Sequence, residues 1–186
     1  MVVLSIGNSI SLLSQQHKKG QVMHRSGVLG FKEALLNFCE RLNLNEIFSQ
    51  ELVDYGLFSY VLTKKQKNKI EKICKTYHWP INNSKGVTVY VKDLKHVLNA
   101  RMKKDKFTWS ECAELIFLAY SPRSEVAIND HKNKNYQTFV LNAQERFMVK
   151  NVAKYGGVIL DVSKNNLAQV TSYDASQAKV KAILGR

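Results

Sequence analysis

No CxxC pair occurs anywhere in this sequence. Its three cysteines, Cys39, Cys74 and Cys112, are odd in number and far apart, which excludes a disulfide framework or a zinc knuckle as the device that holds the fold. They read instead as small apolar residues in helices, kept reduced. Long hydrophobic runs are missing too. The opening Val2-Val3-Leu4-Ser5-Ile6-Gly7 is apolar but short and lacks a basic flank, so neither a signal peptide nor a membrane span is expected. The Walker loop, GxGxxG, HExxH and GxSxG are all absent. Acidic residues are scarce, 15 against 28 Lys and Arg, and none form the DxD or ExK grouping of a two-metal nuclease. No metal and no cofactor are expected.

What is present is positive charge on an ordinary globular composition. The 186 residues are 45% hydrophobic and 23% charged, enough to bury a core without covalent staples. The formal net charge is +13 and the pI about 9.7. Such a field draws polyanions from a distance and speeds their capture. The excess is spread over Lys64-Lys65-Gln66-Lys67-Asn68-Lys69, Arg101-Met102-Lys103-Lys104 and His131-Lys132-Asn133-Lys134. A solvated lysine-rich surface would look the same, so charge alone names a class of partner and not a site.

Along the chain, residues 1–80 read as a helical module. Phe31, Leu35, Phe38 and Leu42 recur at helical spacing, and Thr63-Lys64-Lys65-Gln66 has the spacing of a capping box. His78-Trp79-Pro80 should end that second helix. Residues 81–86 form a polar linker, and 87–186 a second domain. There Val87–Val91 predicts a strand, Asp93 caps a helix through Leu94, Val97, Leu98 and Arg101, and Thr108-Trp109-Ser110-Glu111 opens another. Strands are expected at 124–129, 136–141, 157–162 and 167–173. Residues 143–154 fit either helix or strand, and Asp174 is expected to cap a last helix. The expected class is α+β, with an N-terminal helical module followed by two helices packed on a small antiparallel sheet.

RNA can be cut without a metal when its own 2′-hydroxyl is the nucleophile. The protein then supplies a base, a cation for the phosphorane and an acid for the leaving oxygen. His96, Arg123 and the Thr171-Ser172-Tyr173 strand end offer those groups, and Lys95, Arg101, Asn129, His131, Lys132 and Tyr136 could hold substrate. Each has a plainer reading: His96 as a surface histidine, Arg123 answering helix carbonyls, Thr171 and Tyr173 as one core-facing pair. Trp109 and Tyr136 are the aromatics best placed to stack on bases.

Three phrases carry a likeness: Val89-Tyr90-Val91-Lys92-Asp93-Leu94-Lys95-His96-Val97-Leu98, Ser121-Pro122-Arg123-Ser124-Glu125-Val126 and Val170-Thr171-Ser172-Tyr173. With them, residues 87–184 resemble the phage-associated barnase–EndoU–colicin–RelE (BECR-fold) nucleases. The resemblance implies a metal-independent endoribonuclease of toxin or effector type, acting on RNA such as tRNA in the cytoplasm of the producing or target cell. It also implies His96 as acid or base, Arg123 on the phosphate, and Thr171 with Ser172 or Tyr173 at the scissile group. An acidic immunity or antitoxin protein would be a natural partner. Two rivals stand beside it: a basic RNA- or DNA-binding protein without catalysis, and an interaction module for an acidic partner.

Overall fold

Leu35, Phe38, Cys39 and Leu42 are all buried on one stripe of helix α1 (Val28–Asn43), as their spacing predicts. The computed structural model describes residues 28–80, 86–129, 137–162 and 167–185. After α1 come α2 (Gln50–Tyr55), β1 (Phe58–Val61), α3 (Lys64–Tyr77), β2 (Gly86–Val89), α4 (Val91–Lys104), α5 (Trp109–Ala119), β3 (Glu125–Ile128), β4 (Thr138–Val149), β5 (Val152–Asp161), β6 (Leu167–Ala175) and α6 (Gln177–Leu184). The class is mixed α+β.

Both capping boxes form. Thr63 and Gln66 exchange bonds at the start of α3, and Thr108 and Glu111 do so at the start of α5. Two caps differ from expectation. Helix α4 starts earlier, with Tyr90 at its cap and Asp93 in the first turn, where a carboxylate suits the positive end of the helix dipole. Ser176, not Asp174, caps α6, because Asp174 is still in β6 and accepts a 2.7 Å bond from Lys154. Residues 143–154 resolve as strand. β4 runs on to Val149 and reverses through Lys150 and Asn151, both at positive φ (48° and 63°), as a two-residue hairpin turn of the primed kind requires.

The strands form one sheet in the order β1-β2-β6-β5-β4-β3. Every pairing is antiparallel except β2 with β6. The expected small antiparallel sheet is therefore larger and mixed. The division at 81–86 does not separate two cores. β1 lies before it and pairs with β2 after it, and one buried cluster runs from Ala34 to Leu167. The segment read as a helical module thus contributes a strand to the shared sheet.

One face of the sheet carries the helices: α5 packs on β4 and β5, α4 on β6, and α1 on α5. Helix α6 crosses the other face against β3, β5 and β6. A bulge in β6 decides which residues see which side. Ile159 pairs with Thr171 but Leu160 pairs with Gln169, so Val170 is extra and the alternation shifts by one. Gln169 and Ser172 consequently both face the helices, fully buried. The Tyr120 hydroxyl donates to Gln169 Oε1 (2.6 Å), and Gln169 Nε2 donates to Ser172 Oγ (3.2 Å). Partnered in this way, the buried polar groups cost little.

Burial also fixes protonation in this layer. It pushes the Cys112 thiol up to about 12, with Glu111 adding to the effect, and raises Cys39 and Tyr120 as well. A raised value means that the folded protein holds these protons more tightly than the unfolded chain. Their contribution to stability is intact below the ordinary thiol value of 9.0 and is lost as pH climbs towards 12. The midpoint of urea unfolding should thus fall steadily above pH 9 once acid- and base-independent effects are fitted, and a Cys112→Ala variant should flatten that fall. An unchanged alkaline slope in the variant would contradict it.

Candidate nucleic-acid interface

Helix α4 buries Leu94, Val97 and Leu98 and therefore turns Lys95 and His96 outward, where both are exposed. Arg101 on the same helix is committed inside the protein: its Nη1 lies 2.7 Å from Asp105 and 3.8 Å from Asp174. Asn129 donates to Thr138 Oγ1 (3.0 Å) across the end of the β3–β4 ladder. Arg123 follows α5 on an exposed turn, with Nη1 3.3 Å from Glu145 of β4.

The strand-end triplet divides. Ser172 is buried under the helices by the bulge, whereas Thr171 and Tyr173 face the α6 side. The Tyr173 ring lies over Gly157, its hydroxyl donates to Asn142 Oδ1 (3.3 Å), and Lys179 sits 4.4 Å from the ring centre. Burial raises its hydroxyl above the ordinary tyrosine value. Thr171 and Tyr173 do share a face, as strand alternation predicts, and that face is partly covered by α6. His96, on the outer side of the helix layer, is not brought to them. His131, Lys132 and Tyr136 lie outside the described residues. Of the aromatics, Trp109 packs against the core and Trp79 sits 5.5 Å from Phe139 and 5.8 Å from Tyr77.

What the fold does bring together is a groove between α3 and the edge strand β3. Helix α3 carries six lysines and one glutamate, and Lys75 pairs with Glu71 at 2.8 Å. Its buried side is Gln66, Ile70, Ile73 and Cys74. That anchoring points Lys65, Lys69 and Lys72, one row at i, i+4 and i+7, into a cleft of about 370 Å³ whose other wall is Ser124, Glu125 and Val126. The floor is tied by Gln66, whose carboxamide uses its full hydrogen-bonding capacity. Oε1 accepts from the Thr63 N–H (3.0 Å) and the Tyr60 hydroxyl (3.1 Å), and Nε2 donates to the carbonyls of Ser121 (3.0 Å) and Ser124 (3.1 Å).

The lysine run was visible in the sequence as charge, but not as a wall of anything. Its spacing beside a helix-buried glutamine is the local sign; the opposite wall comes from more than fifty residues further on. Among the described residues, no three His, Cys, Asp or Glu side chains converge to hold a metal ion, and no helix is long and apolar enough to cross a membrane. No protein-family model matches the sequence, and searches of curated proteins and of solved structures return no match.

Proposed function

We propose that this protein binds RNA through its basic surface, without the candidate catalytic set acting as one site. The observation that carries the reading is the row Lys65, Lys69 and Lys72 along an open groove, on a chain of net charge +13. Fixed cations beside a cleft attract a phosphodiester chain and release its condensed counterions on contact. The resemblance to the BECR-fold nucleases implies cleavage as well. Cleavage needs base, cation and acid at one phosphate, however, and His96 is separated by the sheet from Thr171 and Tyr173. Binding therefore ranks first.

The test is titration of labelled total tRNA across a salt series, with a parallel incubation in EDTA and mapping of RNA ends. Affinity should be measurable at about 50 mM salt and fall linearly on a log–log plot, the slope reporting how many phosphates are neutralised. No affinity for RNA at low salt would overturn the reading and favour an acidic protein partner. Discrete fragments ending in 2′,3′-cyclic phosphate, lost in His96→Ala, would make the protein the nuclease that the resemblance implies.

A further inference from the structure

We infer that the α3–β3 groove is where the nucleic acid sits, and that it takes a single strand and not a duplex. The inference rests on the RNA-binding reading and adds the locus and the class of substrate. Three features of the groove carry it.

The first is convergence. Lys65, Lys69 and Lys72 present ammonium groups to one cleft over about 10 Å of helix, at a rise of about 1.5 Å per residue. That reach spans a short run of consecutive phosphates. The second is rigidity. Gln66 has no bonding capacity left for a ligand and instead fastens the lysine helix to the Ser121–Ser124 turn, so the wall is set before anything binds. A wall already in place spares the ordering cost of binding.

The third is size. A cleft of about 370 Å³ is near the lower end of small-molecule sites, with room for one nucleotide-sized unit at a time. A duplex presents its phosphates on a broad convex rod that cannot follow such a floor, while a single strand can lay its backbone along the lysines and turn its bases aside. The exposed Asn68 amide in the lining offers a donor and an acceptor to a base edge.

The experiment compares two triple variants of the full chain: Lys65→Ala/Lys69→Ala/Lys72→Ala in the groove, and Lys103→Ala/Lys104→Ala/Lys181→Ala elsewhere. Each removes three positive charges, taking the net charge from +13 to +10. The probes are a short single-stranded RNA of mixed sequence, the duplex of the same length, and polyglutamate. Thermal melts check that both variants fold. The groove variant should lose at least about tenfold in affinity for the single strand, and its salt slope should fall by about 2, three contacts at ~0.7 each. The control should lose less than about threefold, the share expected from net charge alone.

Equal losses in the two variants would overturn the groove as the locus while leaving RNA binding standing. Duplex bound as tightly as single strand, with the same lysine dependence, would overturn the substrate class. Polyglutamate bound as tightly as RNA would do the same. A wild-type protein that binds neither RNA would sink the underlying reading itself.

Discussion

A Gly156→Ala variant should lose about 3 kcal/mol of stability, read as a lower urea midpoint with an unchanged slope. Gly156 sits in β5 on the face that carries the helices, paired with Asp174. A Cβ added there would lie 2.0 Å from the Leu115 carbonyl oxygen and 3.0 Å from its carbonyl carbon. Both atoms are backbone in the middle of α5, so no rotamer change relieves the overlap. The helix must lift, and it carries Cys112, Leu115, Ile116 and Ala119 out of close contact with the sheet. Gly157→Ala is the natural comparison. There the nearest atoms belong to the Tyr173 ring, at 2.5 Å, and a side chain can swing aside at the cost of its bond to Asn142, about 1 kcal/mol. If Gly156→Ala were no worse than Gly157→Ala, the flush packing of α5 on β5 would be wrong.

Gln66→Leu should cost about as much, for a different reason. The side chain is 2% exposed and makes four hydrogen bonds. Leucine fills similar space but leaves the Thr63 N–H, the Tyr60 hydroxyl and the Ser124 carbonyl to find other partners, while the Ser121 carbonyl keeps the bond from the Ser124 N–H. Each buried group left unpaired costs about 1–3 kcal/mol, and water reaching some of them from the groove brings the total to about 3 kcal/mol. The variant should also bind RNA more weakly than its loss of stability explains, because α3 is no longer tied to the turn that forms the opposite wall. A Gln66→Leu protein with wild-type urea midpoint would show that the four bonds contribute nothing. One that is destabilised yet binds RNA with wild-type affinity would show that the tie does not position the lysines.

These two sites also show how far a sequence reaches. Gln66 was legible as half of a capping box, because the pairing of Thr63 with a residue three further on is a property of one helical turn. Its second pair of bonds, to Ser121 and Ser124, was not legible: the partners are 55 and 58 residues away and are backbone carbonyls that any residue supplies. Gly157 opens the strand expected at 157–162, and Gly156 lies just before it. Which one faces a helix and which one a tyrosine ring depends on the register of three strands.

The candidate catalytic residues met the same limit. Thr171 and Tyr173 share a face because alternation along a strand is local. Ser172 is buried under the helices because Val170 bulges, and a bulge is set by what the neighbouring strand pairs with. His96 was correctly placed on α4 to one side of the apolar stripe, but its distance from the Thr171 face depends on which side of the sheet α4 packs.

What the sequence determined by itself is therefore what is decided within a few residues: the buried stripe of α1, the capped starts of α3 and α5, the strands near 157–162 and 167–173, and the excess of positive charge. Tertiary structure alone decided the parallel pairing of β2 with β6, the inclusion of β1 in the same sheet, and the groove that gathers three lysines. The physical reason is common to all three. Helix caps and hydrophobic stripes are closed by bonds within one or two turns, whereas strand partners and groove walls are chosen by burying apolar surface across the whole chain, and many pairings share the same local pattern.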